Sequence, residues 1–314
     1  MNRLDLVCCP ETLDGLQDTF TCFTAGPING SSPWQHNLPV IPGLTWVSPR
    51  RYDYKDFDYD EQFKWETIGL KISDFILFWI PSPVENIQGR DYGQTTRTEF
   101  GEFYKRPGCI FGCYPDFPGR RYLEKKVEEQ GKVLHTTLEE CIEELKSKIL
   151  SHSPKIFFTS DTHFGSQRAL ELSKRPFRDV NEMDWTMIER WNSVVKPNDV
   201  VYHLGDFGES WPAQYLNGKI RLILGNYERD GKTPIPPEVE VIDPGNYMSY
   251  YLSHEPSKIG HSLFGHIHGR QMVKPWVGLD VGVDCHNFTP VPKEDADFYL
   301  NAIYKGYYDS LVWE

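Results

Sequence analysis

Five short blocks in the second half of the chain carry residue types that bind metal ions. They are Asp161-Thr-His163, Gly205-Asp206, Gly225-Asn226, Ser253-His254 and Gly265-His266-Ile-His268. Carboxylates, imidazoles and an amide oxygen together suit hard-to-borderline divalent ions such as Mn²⁺, Fe²⁺ or Zn²⁺. Most of the blocks follow an apolar, β-rich run: KIFF before Asp161, VVYHL before Asp206, RLIL before Asn226. Such runs read as buried parallel strands. Ligands just past strand ends converge on one edge of a sheet, where open α/β folds place their sites. A single Asp-x-His pair carries little weight, and a lone histidine is more often a core or surface residue than a ligand. Five blocks in a fixed order, mostly at strand ends, weigh against that plain reading. His36, His152 and His261 fall outside the pattern and read as ordinary polar residues. His203 sits on the strand itself, two residues before Gly205, and reads as a support behind the site rather than a ligand.

The constellation resembles the calcineurin-like metallophosphoesterases, whose pattern runs Asp-x-His, Gly-Asp, Gly-Asn-His, a lone His, then Gly-His-x-His. The resemblance covers roughly residues 155–290 and implies two divalent metal ions. It implies Asp161, His163, Asp206 and His268 around one ion. Asp206, Asn226, His254 and His266 would surround the other, with Asp206 bridging. Two cations about 3.5–4 Å apart clamp the attacking and leaving oxygens of an in-line displacement. One position departs from the pattern. Where the family has Gly-Asn-His, this chain has Gly225-Asn226-Tyr227-Glu228. The family's histidine contacts the scissile phosphate and can protonate the leaving group. A phenol donates a hydrogen bond, but its ordinary pKa of about 10 makes it a poor proton shuttle at neutral pH. Three consequences stay open: a leaving group that needs no proton, another acid such as His203 or His286, or slow turnover.

The elements that must position these residues fit two domains. At 314 residues the chain is long enough for two ordinary cores. The expected domains are 1–152 and 153–314. The stretch Thr137-LEECIEELKSKILSH reads as an amphipathic helix with Leu138, Cys141, Ile142, Leu145 and Ile149 on one side. Ser153-Pro154 ends it, and KIFF opens the metal domain. No run is apolar for the 18 or so residues that a membrane span needs, and the N-terminus lacks a secretory pattern. Seven cysteines form no regular framework. Cys109 and Cys113 read as buried strand thiols rather than a metal or redox pair, and a reducing cytoplasm fits. A formal net charge of −12 disfavours binding to nucleic acid without ruling it out. A small phosphorylated substrate remains compatible, because two metal ions dominate the local field.

In the first half, strands alternate with helices. Thr19-FTCFTA, Leu44-TWVS, Asp74-FILFWI, Cys109-IFGC and Lys132-VLHT read as strands. Phe63-KWETIGLKI and Gly93-QTTRTEFGEFYK read as helices, and Ser32-Pro33 reads as the cap of another that holds Trp34. The stretch from Ser48 to Asp60 reads as a long loop. The alternation implies a parallel sheet in a flavodoxin- or Rossmann-like layout. The expected fold class is therefore α/β: a flavodoxin/Rossmann-like domain followed by a metallophosphoesterase α/β sandwich.

The first half also resembles the nucleoside 2-deoxyribosyltransferases over roughly residues 18–150. The matching pieces are the turn Ala25-Gly26-Pro27-Ile28, Ser32-Pro33-Trp34, Pro49-Arg50-Arg51, Trp65-Glu66, Asp74, Phe78-Trp79-Ile80-Pro81 and Thr96-Arg-Thr-Glu99-Phe-Gly101. The resemblance implies Glu99 as a nucleophile that traps an oxocarbenium-like sugar. A place at a helix start would keep that carboxylate ionised. Asp74 would be the proton donor or base contact. Gly26, in the turn after the first strand, would line the substrate site, Trp34 and Trp79 would frame the base by stacking, and Arg50 and Arg51 would bind a phosphate. The turn before Glu99 departs from the family in carrying bulky and charged groups, and its cations, Arg90 and Arg97, would favour a nucleotide over a nucleoside. Such enzymes complete their site with a neighbouring subunit, which implies a homo-oligomer.

Together the halves predict a cytoplasmic, bifunctional nucleotide-processing enzyme. One half would hydrolyse a phosphate ester or anhydride with two metals. The other would cleave or transfer an N-glycosidic bond. The competing expectations are a phosphoesterase, including a nuclease, whose first domain only binds a nucleotide, and a scaffold with a degenerate site.

Overall fold

The computed structural model describes residues 5–305, apart from 17, 18, 56, 86, 87, 90, 260, 275 and 276. Arg90 therefore lies outside the described residues. The chain divides into two compact units, Met1–Ser153 and Pro154–Glu314, and both are mixed α/β.

The first unit runs β1 (Leu6–Cys8), β2 (Phe20–Ala25), β3 (Leu44–Ser48), α1 (Tyr59–Ile72), β4 (Phe75–Ile80), α2 (Gln94–Phe103), β5 (Cys109–Cys113), α3 (Arg120–Glu128), β6 (Leu134–His135) and α4 (Leu138–Ser151). Its strands form one parallel sheet in the order β1-β3-β2-β4-β5-β6. Strands β2, β4 and β5 are buried from end to end, which is why their sequences are unbroken apolar runs. One sheet face packs Cys22, Trp46, Leu77, Trp79 and Ile110 against Trp34 and against Cys141, Ile142 and Leu145 of α4. The other sets Phe23 against Trp65 of α1, and Phe78 and Phe111 against Phe100 of α2. With β1 set aside, the strand order is the flavodoxin-like one, and strand order reverses between β2 and β4.

Local chemistry sets the helix ends. Asp58 accepts from the Glu61 backbone N–H and caps α1. The helix thus starts inside the stretch expected to be loop. Thr137 and Glu140 form a reciprocal capping box at the start of α4. The helix expected after Pro33 is only a four-residue 3₁₀ turn, Trp34–Asn37.

The second unit runs β7 (Ile156–Thr159), α5 (Gln167–Leu172), α6 (Val180–Val194), β8 (Val200–His203), β9 (Lys219–Ile223), α7 (Asn226–Arg229), β10 (Glu240–Ile242), β11 (Gly245–Tyr247), β12 (Tyr250–Leu252), β13 (Ser262–Phe264), β14 (Val273–Lys274), β15 (Gly278–Asp280), β16 (Val291–Pro292) and α8 (Lys293–Tyr304). It holds two five-stranded sheets, β10-β9-β8-β7-β16 and β11-β12-β13-β15-β14. In the first, β16 alone runs antiparallel. The second is mixed. Phe158, Tyr202 and Ile223 of the first sheet share one core with Tyr250, Leu252, Leu263 and Leu279 of the second. Among the described residues no helix is long and apolar enough to cross a membrane.

Candidate metal centre

Each of the five blocks follows a strand. Asp161 and His163 come after β7, Asp206 after β8, Asn226 after β9, His254 after β12 and His266 and His268 after β13. The carboxyl ends of strands from both sheets therefore deliver the side chains. The backbone there is unusual. Asp161, His163, Asp206, His266 and His268 all have φ between 48° and 70°, in the left-handed region that non-glycine residues seldom occupy. Such conformations cost about 1–3 kcal/mol each and persist only where the surroundings impose them, a pattern concentrated at functional sites. The glycines of the Gly-Asp, Gly-Asn and Gly-His blocks also have a physical cause. A Cβ on Gly225 would meet Asp206 Oδ1 at 2.2 Å, and one on Gly265 would meet Asp161 Oδ2 at 2.3 Å.

The seven side chains converge. One ligand atom each from Asp161, His163 and His268 lies within 4.8 Å of the others, and the same holds for Asp161, Asp206 and His254. Asp206 Oδ2 stands 3.5 Å from His163 Nε2 and 3.5 Å from His254 Nε2, so its carboxylate lies between the two groups. Asp161 is the residue common to both groups, whereas the resemblance gave the bridging place to Asp206. Asn226 Oδ1 is 3.1 Å from His254 Nε2 and 3.1 Å from His266 Nδ1. Asp161, His163, Asp206 and His254 are buried, while His266 is exposed and marks the open side.

The electrostatics fit a cation. Asp161 Oδ1 and His163 Nε2 are buried without a hydrogen-bond partner, a costly state for polar atoms that a metal ion would relieve. Burial raises the Asp161 carboxyl to about 6 against the opposing charges of His254 and His268. Burial raises Asp206 to about 6 as well, against the Tyr227 backbone N–H. Burial, then the charges of His268 and Arg175, pulls His163 down to about 2. A divalent ion among these groups would favour ionised carboxylates and neutral imidazoles together.

His203 does not fit the role of a catalytic acid. It is fully buried, its Nδ1 accepts from the Gly205 N–H at 3.3 Å, and its Nε2 pairs with Thr162 Oγ1 at 2.9 Å. Burial, then His254, pulls it to about 3, so it stays neutral and buttresses two ligand loops from behind. His286 spends its Nε2 on the Asp280 carbonyl at 2.7 Å. Tyr227 donates its backbone N–H to Asp206 Oδ1 at 2.9 Å, and its ring stands edge-on to His163 with centroids 4.9 Å apart. Lys232 Nζ lies 5.2 Å from the Tyr227 ring centroid.

Three supporting residues escaped the sequence reading. Glu228 accepts from the backbone N–H groups of Asp206, Phe207 and Gly225 at 2.8–2.9 Å. Its place directly after Asn226-Tyr227 was the available signal. Arg175 and Asp284 form a buried pair behind Asp161 and His268, and neither carries any local signal.

In the first unit Gly26, Trp34 and Trp79 meet, whereas Asp74 stands apart from them. Asp74 precedes β4 and accepts from the Thr21 N–H at 3.0 Å and Thr21 Oγ1 at 3.1 Å. It lies at the amino edge of the sheet, the length of β4 (roughly 20 Å) from the carboxyl edge, so it is a structural carboxylate rather than a base contact. Trp34 and Trp79 are buried members of the core rather than open stacking surfaces. Gly26 is wedged between them: a Cβ there would meet Trp79 O at 2.3 Å and the Trp34 ring at 2.6 Å. Arg50 is committed to Ile28 O (2.6 Å), Ser31 Oγ (2.9 Å) and Gln35 Oε1 (2.9 Å). Arg51 is committed to Gln62 Oε1 (2.7 Å) and Glu61 (2.5 Å). Neither guanidinium is left over for a phosphate. Arg97 sits near Tyr92 O and Asp91. Glu99 is mid-helix, not in the first turn of α2. Burial, then Glu66 and Glu102, raises its carboxyl to about 8, the opposite of the expected ionisation at a helix start.

A mixed α/β chain with a buried Asp/His cluster at its strand ends defines a candidate metal-binding protein, and comparison with known proteins gives its relatives. The uncharacterized protein MJ1445 of Methanocaldococcus jannaschii is 31% identical over 172 residues, covering 48% of this chain and 93% of that protein. The gene 66 protein of Mycobacterium phage L5 is 30% identical over 143 residues, covering 41% of this chain and 68% of that protein. The chain belongs to the family of these two proteins. No family model matches it. Among solved structures, a protein of unknown function, AQ665 from Aquifex aeolicus, is 18% identical with a TM-score of 0.38, covering 46% of this chain and 99% of that one. Nuclease MPE of Pseudomonas putida is 25% identical with a TM-score of 0.24, covering 36% of this chain and 60% of that one. Neither likeness is close enough to bear on fold or function.

Proposed function

We propose that the second unit is a dinuclear-metal phosphoesterase acting on a small phosphorylated compound. The observation that carries this reading is the convergence of Asp161, His163, Asp206, His254 and His268, with Asn226 and His266 joined to His254, at a place where Asp161 Oδ1 and His163 Nε2 are buried without a hydrogen-bond partner. Asp161, His163 and His268 would hold one ion. Asn226, His254 and His266 would hold the other, with Asp206 between them. Divalent ions bound there would supply Lewis acidity toward phosphoryl oxygens and would acidify a water. The chain's own residues supply orientation. Glu228 fixes the Asp206 and Gly225 loops, and the exposed side at His266 admits the substrate. Tyr227 flanks the centre and would contact the phosphate, while Lys232 Nζ, over the Tyr227 ring, is paired with Asp230.

The arrangement also favours a substrate class. His203 and His286 are committed internally, and the remaining imidazoles of the cluster are ligand candidates. A leaving group that departs without a proton, such as a nucleotide in a diphosphate or an aryl alcohol, is the chemistry this site suits. The test is metal analysis of the purified protein together with Mn²⁺-dependent hydrolysis of bis(p-nitrophenyl) phosphate. Asp206→Asn should lower the rate at least about a hundredfold, since metal Lewis acidity is worth several kcal/mol. Wild-type protein that binds no divalent ion and releases no nitrophenol would end this reading.

One observation favours a second reading, nucleotide handling by the first unit. Trp34 Nε1 and Gln35 Nε2 are buried donors without a hydrogen-bond partner. Trp34 lies against Gly26, just past β2, where strand order reverses and open α/β sheets bind ligands. N-glycosidic cleavage or transfer would rest on Glu99 alone, and a bound substrate would have to favour its ionised form. A mass-spectrometric screen of nucleotides tests it: wild type should release free base and Glu99→Ala should not.

A further inference from the structure

We propose that Asp284, clamped by Arg175, is a positioning residue that sets the tautomer and direction of His268 and so governs one of the two metal positions. The inference rests on the metal centre proposed above and concerns residues that no part of the ligand pattern contains.

Asp284 Oδ2 lies 3.0 Å from His268 Nδ1. An ionised carboxylate only accepts, so Nδ1 must carry the proton. In the neutral ring, the form that binds a metal, Nε2 then keeps its lone pair, 4.0 Å from Asp161 Oδ1. The hydroxyl of Ser173, 3.2 Å from the same Nδ1, is a weaker neutral partner. Asp284 cannot swing away, because Arg175 grips both its oxygens, Nε to Oδ1 at 2.9 Å and an Nη2 contact to Oδ2 at 3.0 Å. The Arg175 side chain is fully buried. The same guanidinium also donates to the Asp161 carbonyl at 2.6 Å and the Thr162 carbonyl at 2.8 Å. One buried cation therefore fixes the orienting carboxylate and the backbone of the loop that carries Asp161 and His163. Carboxylate–histidine pairs of this kind orient metal-ligating imidazoles, and losing the outer partner weakens metal binding by about 10–100-fold.

The test is calorimetric titration of Mn²⁺ into metal-free wild type, Asp284→Asn and Ser173→Ala. Wild type should bind two ions. Asp284→Asn should lose about 10–100-fold in affinity at one site only, while Ser173→Ala should stay near wild type. Equal affinities at both sites in wild type and Asp284→Asn would overturn the positioning role and leave the phosphoesterase reading standing. A wild type that binds no ion would overturn both. The melting temperature of each metal-free protein separates loss of fold from loss of ligand orientation. If Asp284→Asn does not fold, ¹⁵N-histidine spectra of the Zn²⁺-loaded wild type decide. Coordination through His268 Nε2 with a proton on Nδ1 supports the assignment, and coordination through Nδ1 refutes it.

Discussion

The Glu228 carboxylate accepts a hydrogen bond from the backbone N–H of Asp206 at 2.9 Å, and this contact ties the loop after β9 to the loop after β8. The same side chain takes the N–H groups of Phe207 and Gly225. Replacing it by alanine strands three buried donors, each costing about 1–3 kcal/mol when unpaired. Glu228→Ala is expected to lower the unfolding free energy by roughly 3 kcal/mol or more, read by urea denaturation, and to weaken metal binding in parallel. A variant with unchanged midpoint and slope would contradict the account.

Protons and cations compete for the same carboxylate oxygens. Asp161 and Asp206 are each raised to about 6 by burial. A cation binds the ionised forms, so affinity is greatest above that value and falls as pH drops through it. Mn²⁺ or Zn²⁺ titrations between pH 5 and pH 7.5 should show weaker binding at the acid end. Below about pH 6 the loss should steepen toward tenfold per pH unit for each proton displaced. Binding that is flat across this range would mean that these carboxyls are not ligands.

Much of this was legible in the sequence because the signals are local. Strands β2, β4, β5, β7 and β8 are apolar, largely buried runs in sheets that are parallel but for β16. Asp161, Asp206 and Asn226 follow such runs directly, so residue type and position could be read together. The second sheet was not legible. Strands β11, β12, β13 and β15 are three residues each, too short for a periodicity to register. Arg175 and Asp284 lie 109 positions apart, and nothing in either neighbourhood points to the other. Asp74 was misplaced for another reason: an acidic residue heading an apolar strand looks the same whether it serves a site or, as here, holds Thr21 at the far edge. For Glu99 the helix start at Gly93-Gln94 is as the sequence reads it, and that start already puts the carboxyl beyond the first turn; what no local signal gives is the burial that raises it.

Glu99 should leave a pH signature on stability. Its carboxyl is raised to about 8, by burial first and by Glu66 and Glu102 after that, whereas an unfolded chain returns it to about 4.3. The folded state therefore holds the proton more tightly. The associated stability is present below the unfolded value and is lost as pH rises through about 8. Glu99→Gln removes the titration. Relative to wild type, the variant should gain stability progressively from about pH 4.5 and level off near pH 9, by a few kcal/mol at most, since each pKa unit is about 1.36 kcal/mol. Parallel stability curves for the two proteins would show that the carboxyl is not desolvated.

Tyr227 is the position where the phosphoesterase pattern is broken, and restoring it tests the substrate class. Its backbone N–H to Asp206 does not depend on the side chain, so Tyr227→His should leave that loop in place. The new imidazole would stand near His163, where the phenol ring now lies edge-on at 4.9 Å. An imidazole titrates near neutrality and can protonate a departing oxygen, a contribution of about 10²–10⁴-fold when correctly placed. Wild-type kcat/KM should fall steeply as the leaving-group pKa rises across a series of aryl and alkyl phosphodiesters. Tyr227→His should flatten that dependence by accelerating the alkyl esters, with little change for nitrophenyl esters that already leave as stable anions. Identical slopes in the two proteins would mean that proton delivery does not limit turnover and that the tyrosine selects nothing.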